Sequence, residues 1–189
     1  IVDATETPVD LSGLDQIEFE GQPAIRLTRV VEQAGLVAPW TYTYGFVGND
    51  GYDPLVEKLD GDISQLPVYG ELDHGYLIVE EGQLRVVWED ALDFPGSLSV
   101  RGMDGGTIAL QPIPTTSLVF IDSELRALVD LSALTTVDAT DYKHPEEGAV
   151  PMVPFSEIYT AAGCTDPTLY AWKFVGADGF MNIDDNLMP

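Results

Sequence analysis

Two short segments of the chain, 27–34 and 155–162, carry apolar residues along one side of a helix. Their apolar positions recur at i, i+3, i+4 and i+7, and mostly polar residues fill the places between them. A glycine follows each segment, Gly35 or Gly163, where a residue in the left-handed conformation commonly ends a helix. The pattern therefore predicts one amphipathic helix over each segment.

Runs of aromatic and β-branched residues, broken by turns rich in Gly and Pro, predict strands in the rest of the chain. Residues 41–47 and 169–175 each lead into Gly-x-Asp-Gly, as a strand followed by a tight turn does. Aromatic residues alternate along both runs, which predicts rings packed in a core. Five further strands are predicted at 76–79, 84–88, 98–101, 107–110 and 117–121. Two helices among so many strands predict an α+β fold of mostly β content.

The chain contains a partial internal repeat. Val-Asp-Leu-Ser-Gly-Leu at 9–14 returns with five identities in six at 129–134, an offset of 120 residues. Residues 30–52 match 158–180 at nine of 23 positions, with an offset of 128. The offset grows by eight between the two blocks, which predicts an insertion in the polar stretch 138–148 of the second copy.

The repeat divides the chain into two unequal parts. Residues 1–120 form the predicted first copy, a strand, a helix and a strand followed by a β-rich segment. Residues 121–189 form a partial second copy, which has no counterpart of the strand-rich segment 53–110. Because each part alone is incomplete or small, we expect the two copies to share one core.

Charge narrows the classes of partner. The 189 residues contain 32 Asp and Glu against 8 Lys and Arg, a formal net charge of −24. A surface this acidic repels phosphate backbones and anionic lipids, so neither nucleic acid nor a membrane surface is an expected partner. No apolar run approaches the roughly 20 residues needed to cross a bilayer, which predicts no membrane insertion. A protein partner or a cation remains compatible with this charge.

The same composition bears on location. Surfaces rich in Asp and Glu suit exported and high-salt proteins, in which repulsion is screened. The chain begins at Ile1 rather than Met, as a chain does after removal of a leader. We therefore expect a periplasmic or secreted protein. Cys164 is the single cysteine, so no internal disulfide contributes to its stability.

Several short motifs succeed one another in a distinctive order in the first copy. They are Val-Asp-Leu-Ser at 9–12, Leu-x-x-Val-Val-Glu-x-Ala-Gly at 27–35, Phe-Val-Gly-Asn-Asp-Gly-Tyr at 46–52, Glu-Gly-Gln-Leu-Arg-Val-Val at 81–87, and Ser-Val-Arg-Gly with a following Ile at 99–108. This succession resembles the molybdopterin-binding domain of the sulfite-oxidase-like oxidoreductases over about residues 9–110. The fourth motif is similar to that family's His-Gly-x-Pro-x-Arg segment.

The resemblance implies an α+β fold of stacked sheets and a molybdenum–pterin cofactor held by a single cysteine thiolate. By the same resemblance, Tyr52 matches the region of the family's active-site tyrosine and Arg85 matches its arginine, so both are candidate cofactor-binding residues. The family's cysteine precedes the helix, whereas Cys164 follows the second helix, opposite Leu36 in the repeat. Glu81 stands where the family has histidine, and a carboxylate repels a pterin phosphate.

Other residue types with catalytic or metal-binding chemistry have ordinary structural explanations. His74 and His144 are 70 residues apart with no His or Cys at ligand spacing, so the chain has no zinc motif. Asp clusters at 50–53, 60–62 and 184–186 fit tight turns, or else a Ca²⁺ site outside the EF-hand spacing. Arg85, within an apolar strand, equally fits a structural ion pair.

These observations predict a non-catalytic binding or assembly module, exported, with a sulfite-oxidase-like fold that has lost its cofactor site and with no cofactor. Two alternatives remain. The first is a molybdopterin-dependent oxidoreductase with an unconventional site near Tyr52 and Arg85, using Cys164. The second is a structural domain stabilised by Ca²⁺.

Overall fold

The computed structural model describes residues 6–90, 94–121, 126–140, 145–166, 168 and 174. These residues form ten strands and three α-helices, connected in several places by 3₁₀ turns. The helices are α1 (Leu27–Gln33), α2 (Pro54–Glu57) and α3 (Phe155–Ala162). The strands are β1 (Ile17–Phe19), β2 (Gln22–Arg26), β3 (Tyr42–Val47), β4 (Gly75–Glu80), β5 (Gln83–Trp88), β6 (Thr107–Pro112), β7 (Ser117–Ile121), β8 (Arg126–Asp130), β9 (Val137–Thr140) and β10 (Ala149–Met152).

The fold class is α+β with mostly β content, as the sequence predicts. The strands pair antiparallel in four small sheets, of which the largest has the order β1-β2-β4-β5. None of the helices in the described ranges is long and apolar enough to cross a membrane. Both predicted helices are present, as α1 and α3, and the glycine after each has a positive φ, 69° at Gly35 and 84° at Gly163.

The described residues fall into two compact units, which divide between Pro112 and Ile113. The first unit contains β1 to β6 with α1 and α2, and the second contains β7 to β10 with α3. The predicted boundary between the two sequence copies lies after residue 120. It is defined by sequence similarity and not by packing, so it stays a prediction.

The core of the first unit lies around β3, as the alternating aromatic residues predict. The rings of Tyr44 and Phe46 are fully buried, and the Tyr44 hydroxyl donates to the carbonyl oxygen of Pro39 at 2.6 Å. Phe46 meets the edge of Trp88 on β5, with ring centroids 5.7 Å apart. The sheet that contains β3 and the sheet that contains β5 are therefore joined through aromatic contacts as well as through aliphatic packing.

One predicted strand, at 98–101, is wrong. Pro95 and the glycine after it begin a 3₁₀ turn, Gly96–Leu98, in which the Leu98 amide donates to the Pro95 carbonyl at 2.9 Å. Arg101 then makes a single bridge to Arg85 of β5 rather than a ladder. The 3₁₀ turn is favoured over a strand because it buries the Leu98 side chain completely.

The second unit contains two hairpins and one helix. β7 pairs with β8, β9 pairs with β10, and α3 packs over a small cluster of buried residues. That cluster consists of Phe120, Val129, Ile158 and Ala162. The strand predicted at 169–175 lies outside the described residues except for Phe174.

The repeat is visible in the backbone as well as in the sequence. Asp10 caps the 3₁₀ turn Leu11–Gly13 by accepting the Ser12 amide at 2.9 Å. Asp130 caps Leu131–Ala133 by accepting the amide of Ser132, the repeat counterpart of that serine, at 3.0 Å. A hairpin and then a helix follow each cap, so each copy begins with a capped turn and a hairpin where the sequence predicts one strand.

Candidate functional site

Tyr52 lies in the tight turn that follows β3. The Gly48 amide donates to the Tyr52 carbonyl at 3.0 Å, and the Tyr52 amide donates to Asp50 Oδ1 at 3.0 Å. Gly51 supplies the left-handed residue of the turn, with φ of 84°. The Tyr52 ring packs, half-buried, against the core of the first unit. Asp50 and Gly51 therefore shape the tight turn, which is one of the two interpretations that the sequence offers for this Asp cluster.

This turn is held against the chain segment that follows Leu98. The Asn49 amide donates to the Gly102 carbonyl at 2.8 Å, and Asn49 Nδ2 donates to the Asp104 carbonyl at 3.3 Å. A Cβ at Gly48 would come within 2.7 Å of the Arg101 carbonyl oxygen, so only glycine fits here without a backbone shift. The structure thus places the Tyr52 turn beside the Arg101 segment.

Arg85 lies on β5, next to the same segment. Its backbone bridges that of Arg101, and the neighbouring Val86 amide donates to the Val100 carbonyl at 2.9 Å. The Arg85 side chain turns toward the end of the β4–β5 hairpin, where its Nη1 lies 3.0 and 2.8 Å from the two carboxylate oxygens of Glu80. Tyr52 and Arg85 are therefore on adjoining segments, but each side chain has a different set of contacts.

The guanidinium of Arg101 joins the same cluster. Its Nη2 lies 2.7 Å from Glu80 Oε2, and its Nη1 lies 3.5 Å from Glu81 Oε2. Together with Arg85, the four side chains form a cluster of two positive and two negative charges, which we call the hairpin ion cluster. Glu81 reaches it from the β4–β5 turn, where its φ of 53° precedes Gly82 at 83°.

The hairpin ion cluster has little capacity left for an anion. A phosphate bound to these arginines would have to displace Glu80, whose carboxylate already accepts from both guanidinium groups. It would also approach the exposed carboxylate of Glu81. One buried donor, Nε of Arg85, has no hydrogen-bond partner among the described residues. A single donor does not replace the basic residues that a pterin phosphate requires.

Cys164 lies in the second unit, directly after α3. Its amide donates to the Tyr159 carbonyl at 2.9 Å, and its half-buried side chain packs against the small core cluster of that unit. Within the described residues, no three His, Cys, Asp or Glu side chains are grouped as metal ligands. Cys164 is a filler of that small core, and Glu80 already neutralises Arg85 and Arg101, so these residues do not fit the molybdenum–pterin group that the resemblance implies.

The Asp-rich turns use their carboxylates as caps. Asp53 accepts the Leu55 amide at 3.0 Å at the start of α2, and Asp62 accepts the Ser64 amide at 3.0 Å. Both interactions are typical of aspartate at the first position of a helical turn. Asp184 and the residues around it lie outside the described residues.

A second polar cluster, which the sequence interpretation missed, joins the other ends of β4 and β5. Glu89 accepts from the Tyr76 hydroxyl and lies 2.8 Å from His74 Nδ1. Hydrogen bonds from Tyr76 and His74 lower the pKa of Glu89. Burial, with the Glu89 contact, raises the pKa of Tyr76 to about 12. His144, the other histidine, is outside the described residues.

A signal for this second cluster is present in the sequence. Glu81-Gly82 is a two-residue turn, and its register pairs Gly75 with Trp88. The same register places His74 and Glu89 side by side, so the hairpin turn alone would have predicted their contact.

A shallow cleft of about 430 Å³ lies near the start of α1. Its charged groups are largely paired with each other: Arg29 contacts Glu32 at 2.8 Å, and Thr28 donates to Asp73 at 2.8 Å. The remaining lining includes Asp15, Ile17 and Arg26. The lining thus mixes three carboxylates, two guanidinium groups and one threonine hydroxyl, and its carboxylates are not grouped as metal ligands among the described residues.

Comparison with protein-family models, with curated proteins and with solved structures finds no match to this chain. The geometry of the site therefore carries the functional argument.

Proposed function

We propose that this protein is a non-catalytic binding or assembly module, exported from the cytoplasm, with a sulfite-oxidase-like fold that has lost its cofactor site. The mostly β architecture and the order of the motifs support this fold. Its acidic composition, with a net charge of −24, supports an exported or high-salt setting and a cationic or protein partner.

The hairpin ion cluster is the observation that carries the proposal. The resemblance assigns Arg85 to cofactor binding, but in this chain Glu80 neutralises Arg85 and Arg101 together. A phosphate beside the same carboxylates would lose its hydration at a cost in free energy. Its attraction to the two arginines would not offset that cost, because their positive charge is already compensated. Loss of the cofactor function leaves a folded scaffold in which the hairpin β9–β10 is available for recognition.

The proposal is tested by growing the protein in a host that makes the molybdenum–pterin cofactor. Molybdenum and tungsten are then measured by elemental analysis, and pterin by fluorescence after denaturation. We expect less than a tenth of an equivalent of either metal. Near-stoichiometric metal with pterin would overturn the proposal and favour an oxidoreductase.

Cys164→Ser is the matched variant in the same host. If the metal were retained through the thiolate, this variant would lose it while the chain stayed folded. A Glu80→Gln variant provides the complementary test, because it frees Arg85 and Arg101 from their shared carboxylate. We expect Glu80→Gln to bind inorganic pyrophosphate more tightly than the unaltered chain, since one negative charge is gone.

A further inference from the structure

The two hairpins of the repeat have the same register but different surroundings. In the first copy Ile17 pairs with Ala24, and in the second Val137 pairs with Met152. Residues on β1 and β9 correspond at an offset of 120, and those on β2 and β10 at 128. Each position of one hairpin therefore has a defined counterpart in the other.

In the first copy, β4 covers the outer edge of β2. The pairs are Ala24 with Ile78, and Arg26 with Tyr76, in an antiparallel arrangement. Tyr76 and Ile78 are almost completely buried on the same face as Ala24, together with Phe19, whose ring stacks on Tyr76 at 4.3 Å. The apolar face of this hairpin is thus completed by residues of the next strand.

The second copy has the same apolar face without that strand. β9 and β10 form a sheet of two strands, and no other strand within the described ranges pairs with β10. Val137, the counterpart of Ile17, is 49% exposed, and Val150 is 37% exposed. Phe155, at the start of α3, is 53% exposed and contacts Phe174, which is also exposed. We call this exposed set and the outer side of β10 the open edge.

The shared register defines which backbone groups face the open edge. Amide directions alternate along an antiparallel strand, so residues two positions apart point to the same side. In the first copy Phe19 and Gln22 flank the two-residue turn as a hydrogen-bonded pair, so the amide of Ala24 faces β1 and that of Ile25 faces β4, where Ile25 pairs with Leu77. Pro23 and its counterpart Pro151 lie on the same side as Ile25 but have no amide hydrogen, so on β10 Val153 presents its amide to the open edge.

Charge favours one kind of occupant. The segments beside the open edge contribute Asp138, Glu146 and Glu157, and the whole chain carries −24. A second copy of the chain would bring the same negative charge, whereas a basic segment is attracted. The exposed apolar face requires bulky side chains at alternate positions, as Tyr76 and Ile78 provide in the first copy.

We propose that the open edge binds an extended segment of another protein, which adds as an antiparallel strand to β10 and carries alternating bulky apolar residues between basic flanks. The segment takes the place on β10 that β4 occupies on β2, pairing with Met152 and Val153. This inference rests on the proposed binding function and specifies the chemistry of the partner.

The probe is a synthetic peptide with the sequence of residues 75–88 and two lysines added at each end. Its binding to the full chain is measured by titration calorimetry, and amide hydrogen exchange is followed at Val153. We expect saturable one-to-one binding, at least tenfold slower exchange at Val153, and weaker binding as salt is raised. A control peptide with serine at the positions of Tyr76 and Ile78 should bind at least tenfold more weakly.

Two substitutions at exposed valines form the matched pair. Val137→Lys places a charge on the open edge and should weaken probe binding more than tenfold. Val37→Lys, at a position 84% exposed in the first unit, should leave binding unchanged. Val137→Thr is the second variant, used if Val137→Lys disturbs folding. It retains β-branching and removes apolar surface, so it should weaken probe binding, but by less than Val137→Lys does.

Three outcomes overturn the inference. They are absence of saturable probe binding, binding without protection at Val153, and self-association of the chain that Val137→Lys abolishes in sedimentation experiments. The last would assign the open edge to a second copy of this chain. Failure of the peptide experiment is distinguishable from failure of the proposed function, because only the latter yields bound molybdenum and pterin.

Discussion

The two copies of the repeat show that the same local structure can be completed in one part of a chain and left incomplete in another. Both copies have an Asp-capped turn, a hairpin in matching register and a short helix ended by a left-handed glycine. In the first copy β4 and β5 then extend the sheet, and in the second the described sheet stops at two strands.

The difference teaches that local sequence determines the turn, the hairpin and the helix, whereas burial comes from elsewhere in the chain. Phe19 has a stacked partner on β4, but the described face of β9 and β10 keeps Val137 about half exposed. A short hairpin is marginal in water without a covering layer, so the two copies should differ in stability despite their shared pattern.

The largest expected difference lies in the cores. Phe46→Ala removes a fully buried ring from the extensive first core and should cost about 4–5 kcal/mol in the free energy of unfolding. Phe120→Ala, in the smaller cluster of the second unit, should cost about 3 kcal/mol. Urea unfolding monitored by circular dichroism measures both. Equal costs would contradict the idea that the second unit has the less complete core.

A smaller difference is expected on the matched hairpin faces. Ile17→Ala removes a side chain packed against Ala24, Tyr76 and Ile78 and should cost about 1–2 kcal/mol. Val137→Ala, at the equivalent position, should change stability by less than about 0.5 kcal/mol because much of that valine is already in water. A comparable loss at both positions, measured as shifts in the urea midpoint, would mean that Val137 is covered in solution.

At the helix ends the difference between the copies should vanish. Gly35 and Gly163 both have positive φ, and a Cβ on either meets no atom within 4 Å. Gly35→Ala and Gly163→Ala should each cost about 1 kcal/mol, since only the left-handed backbone is strained. Thermal unfolding of the two variants provides the test. Clearly different shifts in Tm would show that the two caps are not equivalent.

The smallest effect concerns pH and is confined to the first copy. The pKa of Glu89 is lowered, so its stabilising contribution is present above its ordinary pKa of 4.5 and is lost as the pH falls through the lowered value. The pKa of Tyr76 is raised to about 12, so its contribution is complete below its ordinary pKa of 10 and is lost toward pH 12.

Glu89→Gln should therefore reduce stability by about 1 kcal/mol at neutral pH and flatten both the acid and the alkaline limbs of Tm against pH. Glu18→Gln, at an exposed position on β1, is the control and should leave both limbs unchanged. An unaltered profile for Glu89→Gln would show that the contacts with Tyr76 and His74 make no net contribution.

Parts of the fold with a strong periodic pattern were predictable. The helices α1 and α3 and the strand β3 follow from apolar spacing and from the glycines after them. The register of β9 and β10 also confirms the eight-residue insertion predicted within 138–148. The hairpin β1–β2 was missed because its strands are short and Pro23 weakens the strand signal.

The site was predictable only in part. Arg85 was interpreted either as a cofactor ligand or as half of an ion pair, and the structure shows the ion pair with Glu80. The contribution of Arg101 could not be predicted, because it depends on a 3₁₀ turn in place of the strand expected at 98–101. A tertiary contact of this kind leaves no spacing pattern in one sequence.

The eight-residue difference between the two hairpins has a consequence for engineering. In the first hairpin the pair Phe19–Gln22 encloses two residues, and in the second the matching pair Ala139–Val150 encloses ten. For a flexible loop, lengthening from two residues to ten adds only about 1.4 kcal/mol of closure entropy. The connection between β9 and β10 is therefore a permissive position at which an epitope tag or a fluorophore-binding sequence can be grafted while both strand registers are preserved.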